Sequence, residues 1–205
     1  MAFIGRDDDL KQLQECFTER RAQLVFVYGR SAWEKQRRLF NSQKTRKPYS
    51  SRRRMPLKMN SWHRSPRLMF EAGAPGKDYL SQYPSWERAL TELTRLPEPS
   101  DGGRRLVIFD EFPYLVKSDP SLPSVLQNLW DHTLRHANLM IVICGSAMSF
   151  IEKELLGEKS PLYGRATGIL KMLPMPYWDA AQFFPNYSGE DKRWPTQYWA
   201  VSRVT

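Results

Sequence analysis

Leu106-Val107-Ile108-Phe109-Asp110-Glu111 is four apolar residues running straight into two adjacent acids. Gly102 and Gly103 precede the run, and Phe112-Pro113-Tyr114 follow it. A short continuous apolar segment bounded by turn residues reads as a strand buried on both faces, the pattern of a parallel sheet. Open α/β sheets bind their ligands beyond the carboxyl ends of such strands. Two carboxylates there have the chemistry to hold a divalent cation and to polarise a water. The plainer reading is a buried strand ending in two solvated acids. The rest of the chain bears on which holds.

Downstream, Asp119-Pro120-Ser121 opens a new element, and Leu122, Val125, Leu126, Leu129 and Trp130 predict a helix over about 122–136. Residues 139–144 are another apolar run, ended by Gly145-Ser146. Strand, helix and strand form a βαβ unit, which implies parallel strands and a right-handed crossover. Residues 149–156 read as a short helix and 161–165 as a loop. Residues 172–175 read as a final strand, and 177–184 as a helix with Trp178, Ala181 and Phe184 on one face. Upstream, Asp7-Asp8-Asp9 followed by Leu10, Leu13 and Phe17 predicts an amphipathic helix over about 7–20. Residues 24–28 are a buried-strand run stopped by Gly29. Residues 79–96 are helical in period, with Ser85 as cap and Trp86, Leu90 and Leu93 on one face. The fold class is α/β, built on a parallel sheet.

At 205 residues, 41% of them hydrophobic, the chain is long enough for one sizeable core. No stretch reads as a signal peptide or approaches the ~20 apolar residues of a spanning helix, so a cytoplasmic protein with no membrane partner is expected. Cys16 and Cys144 fall on apolar patterns and read as small core residues. His132 and His136 share a helix face but have no evident third metal ligand. The charge is uneven. Residues 30–67 hold thirteen Lys or Arg and one acid, a net +12, against 18 basic and 21 acidic residues elsewhere, a net −3. That block has neither helical nor strand period, and taken alone it reads as a nucleic-acid-binding patch.

Several pieces occur in a fixed order: Phe3-Ile4-Gly5-Arg6 before an acidic helix, a strand ending in Tyr28-Gly29-Arg30, and the 106–111 strand with Phe112-Pro113-Tyr114. Ile143-Cys144-Gly145-Ser146 and Ser160-Pro161-Leu162-Tyr163-Gly164-Arg165 follow. Over about 1–30 and 79–190 this resembles the archaeal-type P-loop ATPases of the AAA+/STAND group, whose ATPase domain is usually followed by a nuclease-like domain. The resemblance implies a P-loop NTPase-like three-layer sandwich over residues 1–190, incomplete, with a poorly ordered basic insert-like segment at 31–70. It implies an aberrant tail at 191–205 with the C-terminal domain missing. ATP and Mg²⁺ are the implied cofactors. The 106–111 strand becomes a Walker B motif, with Asp110 serving Mg²⁺ and Glu111 the attacking water. Ser146 would sense the γ-phosphate, Arg165 would neutralise transition-state charge, and Ile4 and Gly5 would lie near the adenine.

The phosphate loop departs from the pattern. G-x-x-x-x-G-K-[ST] works because glycine lets backbone N–H groups wrap the phosphates, Lys reaches their oxygens and Ser/Thr binds Mg²⁺. The window here is Gly29-Arg30-Ser31-Ala32-Trp33-Glu34-Lys35-Gln36. Gly29 and Lys35 are in register, but Glu34 replaces the second glycine and Gln36 the hydroxyl. Read from the third base of each codon from Ser31 onward, the same DNA permits Arg-Val-Gly-Lys-Thr. Residues 193–203 read in the same way permit Leu-Gly-Gly-Val-Pro, a segment that follows the ATPase core in the family resembled. Translation out of frame over roughly 31–70 and 192–205 is therefore expected, and it would account for the +12 block. The functional expectation is an ATP-binding domain with Walker B retained and Walker A degraded, weak or inactive as written. The alternatives are a basic nucleic-acid-binding protein using residues 30–67, and a nonfunctional product of a decayed or misread gene. Oligomeric state stays open.

Overall fold

The computed structural model describes residues 7–29, 57–59, 83–97, 103–174 and 176–182, with 186 and 188, and of 57–59 the backbone alone. A five-stranded sheet forms the centre, and every pairing in it is parallel. β1 (Gln23–Tyr28), β2 (Leu57–Met59), β3 (Arg105–Phe109), β4 (Leu139–Gly145) and β5 (Gly168–Lys171) stand in the order β2-β3-β4-β1-β5. β4 and β1 sit inside the sheet, and every residue of both is buried. Burying a Val or Ile side chain stabilises by about 1.5–3 kcal/mol. Unbroken apolar runs gain most where both faces are covered, which is why these two strands are central.

α1 (Asp7–Thr18) covers one face, where Leu13, Cys16 and Phe17 pack on Val25, Val27, Ile108, Val142 and Cys144. The other face, with Leu24, Phe26, Phe109, Ile141 and Ile143, is covered by α2 (Trp86–Arg95), α3 (Phe112–Ser118) and α4 (Leu122–His132). Trp86, Phe109 and Phe112 tie helix to strand, with ring centroids 6.0 and 5.6 Å apart. Helix, sheet and helix make the three layers expected of a P-loop NTPase-like sandwich. Ser85 caps α2 as its sequence predicts: its hydroxyl accepts from the Arg88 N–H at 3.2 Å.

The carboxyl end of α1 is closed by a side chain from the start of β3. Arg104 is only 6% exposed. Its Nη1 donates to the carbonyls of Cys16 (2.8 Å), Phe17 (3.3 Å) and Glu19 (2.7 Å), and its Nη2 to that of Arg21. These include carbonyls that a helix end leaves without partners. A cation is also favoured at that end of the helix dipole.

Several elements differ from the sequence reading. Among the described residues the last strand is Gly168–Lys171; of the expected 172–175, residues 172–174 are not strand and 175 lies outside the described residues. Met172 adds one more bond, N–H to the Tyr28 carbonyl at 2.6 Å, and Pro174 has no N–H to carry a ladder further. Among the described residues β5 borders only β1, and it alternates buried Leu170 with exposed Ile169, so its signal is weaker than that of an interior strand. α3 has no counterpart in the periodicity because it is seven residues long, although Pro113 marks its first turn. The 122–136 helix stops at His132 and re-forms as a 3₁₀ turn over Leu134–His136. The short helix after β4 begins as α5 (Met148–Phe150) and widens into a π-helical turn over Ile151–Leu155. α6 (Tyr177–Ala181) leaves Trp178 77% exposed rather than on a packed face. The 31–70 segment contributes β2, paired with β3 from Leu57↔Val107 to Met59↔Phe109. The rest of that segment, and the tail from 189, lie outside the described residues.

Candidate functional site

The pairings Tyr28↔Gly145 and Phe109↔Ile143 bring the carboxyl ends of β1, β4 and β3 level. From β1 the chain leaves for β2 near one edge, and from β4 it leaves for β5 at the other. The ends of β1 and β4 therefore flank a switch point, where open α/β sheets form their ligand crevice. Gly29, Asp110, Glu111 and Ser146 all follow directly on these three strands.

Asp110 and Glu111 make the turn from β3 into α3. Glu111 has φ 50° and ψ 49°, the sole positive φ among the described non-glycine residues. Holding a glutamate there costs about 1–3 kcal/mol. Burial of Phe112, Pro113 and Leu115 immediately afterwards pins the turn, and Tyr114 N–H donates to the Glu111 carbonyl at 2.9 Å. The turn carries the Glu111 carboxylate across to β4. Its Oε2 accepts the Ser146 N–H at 3.3 Å and the Ser146 hydroxyl at 3.2 Å. Gly145 lets α3 come this close, since a Cβ there would lie 2.7 Å from Pro113 Cδ. Asp110 and Glu111 are half-buried and Ser146 is exposed, so the group faces solvent. Carboxylate and hydroxyl oxygens are hard donors of the kind Mg²⁺ takes alongside its waters.

Gly29 has a packing reason to be glycine. A Cβ there would meet the Met172 carbonyl oxygen and, at 2.8 Å, the Met172 Cβ. Arg165 is not brought to Glu111 or Ser146 by any hydrogen bond. Its Nε and Nη2 fork onto Asp131 of α4 at 2.9 and 2.7 Å, and its Nη1 donates to the Tyr163 carbonyl at 3.0 Å. This fork draws the Asp131 carboxyl below the usual carboxylate range and raises the guanidinium correspondingly. Asp131 has no signal in the sequence, because its partner lies 34 residues away. Ile4, Gly5 and Lys35 lie outside the described residues. His132 and His136 are exposed, and His136 Nε2 accepts from Arg135 Nε at 3.1 Å. Among the described residues no helix is long and apolar enough to cross a membrane.

The sequence and the fold both have relatives. An uncharacterized protein of Methanocaldococcus jannaschii is 27% identical over 189 residues, which is 92% of this chain and 40% of that protein. The chain therefore spans well under half the length of this curated relative. The Aeropyrum pernix ORC1 protein, solved in complex with DNA, is similar in fold, with TM-score 0.56 and 17% identity over 98% of this chain and 55% of its own. The Walker-type ATPase paby2304 of Pyrococcus abyssi has TM-score 0.54 and 21% identity over 88% of this chain and 57% of its own. Residues 80–198 match the model of an ATPase domain found predominantly in Archaea. That match takes in more than half of the chain, including β3, β4, Asp110, Glu111 and Ser146, and the chain belongs to this archaeal-type P-loop ATPase family.

Proposed function

We propose that this chain is a nucleotide-binding ATPase domain, residues 1–190, whose hydrolytic half is intact and whose phosphate-holding half is defective as translated. One observation carries the first part: Glu111, held in a left-handed turn at the end of β3, places its carboxylate on Ser146 just past β4. In this reading Asp110 holds the magnesium shell and Glu111 orients the attacking water. Bound Mg²⁺ supplies charge neutralisation at the phosphates. Ser146 restrains Glu111 until a γ-phosphate competes for its hydroxyl. Gly29 opens the phosphate loop and Lys35 is the remnant of its cation, with Ile4 and Gly5 beside the base. Arg165 reaches a phosphate only after Asp131 releases it.

The second part rests on Glu34 and Gln36, which put a side chain and a negative charge where the loop needs glycine, and an amide where it needs a hydroxyl. Out-of-frame translation over about 31–70 and 192–205 explains both, and the +12 block as well. Sequencing the DNA of codons 29–40 tests it: a single shift must restore Gly-Lys-Thr. The protein as written is expected to hydrolyse ATP weakly or not at all. The protein with the frame restored should hydrolyse it with Mg²⁺, and Glu111→Gln should abolish that activity. Failure of the restored protein to hydrolyse ATP overturns the reading. A peptide spanning residues 31–67, recovered from cells, would separate a decayed gene from a misread sequence.

The +12 block also favours a second reading, a nucleic-acid surface at residues 30–67. ORC1, a relative in fold, was solved with DNA. Affinity for one DNA or RNA form over others, with a steep loss in salt that disappears on removing the block's arginines, would establish it.

A further inference from the structure

Tyr28 ends β1 immediately before Gly29 and is only 5% exposed. A buried phenol needs a partner for its hydroxyl. Burial pushes the Tyr28 phenol up, and the nearby Glu152 carboxylate, in the π-helical turn that follows α5, adds to this. Glu152 is held in turn by Lys171 at the end of β5, with Nζ to Oε1 at 2.8 Å. Lys171 stands beside Tyr28 in the sheet, and the next residue, Met172, donates its N–H to the Tyr28 carbonyl and fills the space over Gly29. Side chain, main chain and packing thus converge on one peptide, the junction of β1 with the loop after it. π-helical turns often mark functional sites, and this one exists where its glutamate meets the strand end.

We infer that Tyr28, Glu152 and Lys171 form a clamp that sets the position of Gly29, and so act as positioning residues for nucleotide binding. The inference rests on the nucleotide reading of the site. An exposed ion pair alone contributes little to stability, so the clamp acts on geometry at the mouth of the loop rather than on the fold. A misplaced binding loop costs affinity steeply.

The test uses the full chain, with the fluorescent analogue mant-ATP as probe and amide hydrogen exchange as an independent readout. Glu152→Ala should speed exchange in the peptide spanning residues 27–29 and weaken mant-ATP binding about tenfold. Glu152→Gln, which keeps the side chain's shape and an acceptor oxygen for Lys171, should recover most of both. Lys171→Met should fall between them, and Arg88→Ala, which breaks the remote Arg88–Glu92 pair, should change neither. Unchanged exchange at 27–29 in Glu152→Ala overturns the clamp whatever the nucleotide result. Faster exchange without loss of affinity overturns its role in binding. Absence of mant-ATP binding by the unaltered chain and by the frame-restored chain overturns the nucleotide reading instead, with the exchange result still deciding the clamp.

Discussion

The two ends of the sheet are built differently. At the amino end, Arg104 is buried and gives its guanidinium to four carbonyls around the close of α1. At the carboxyl end, Glu111 sits in an unfavourable backbone conformation, half exposed, and shares one oxygen between two weak donors on Ser146. The first arrangement concentrates charge-assisted bonds in a low-dielectric place, although Arg104 Nε has no partner among the described residues. The second keeps polar groups solvated, loosely held and strained. Strain of this kind persists where it serves a site. The contrast sets a buried anchor at one end against a solvated, strained carboxylate at the other, which supports the proposed site there.

The largest expected effect is at the anchoring end. Arg104→Met keeps some of the packing but strips the α1 carbonyls, and should destabilise by about 2–4 kcal/mol in urea unfolding. A loss below 1 kcal/mol would break the contrast. At the other end the sign should reverse. Glu111→Gly relieves the left-handed backbone, and should gain about 1 kcal/mol even though it discards the carboxylate. Loss of stability there would mean Glu111 is structural. Asp131→Asn should cost about 1 kcal/mol at neutral pH. Arg165 lowers the Asp131 pKa in the folded state, so this contribution is present above the ordinary carboxylate range and lost as pH falls through the folded value. The melting temperatures of wild type and Asp131→Asn should therefore converge in acid. The smallest effect is Ser146→Ala, with no more than about 0.5 kcal/mol at an exposed hydroxyl.

The central sheet was legible because interior parallel strands must be apolar on both faces. Residues 24–28, 106–109 and 139–144 could be little else. Ser85 and the stripe in α2 were legible for a similar local reason. β5 and α3 were not, since an edge strand needs fewer apolar residues and a seven-residue helix shows too little period. Asp110, Glu111 and Ser146 could be picked out by their place after strands. That Glu111 Oε2 would rest on Ser146, and Arg165 on Asp131, depends on pairings 35 and 34 residues apart that no local pattern encodes. Gly29 was read for its backbone freedom, whereas its neighbour Met172 gives a steric reason as well.

The strand order also governs when the molecule can form. β1 is flanked by β4 and β5, and Gln23 pairs with Met140, 117 residues further along. A ribosome adding 5–20 residues per second leaves that first apolar strand without either neighbour for about 6–23 s. Closing so long a loop is also slow after release. During this interval residues 23–28 are an unprotected adhesive segment, so the yield of native protein should depend on translation speed and on chaperones that shield β1.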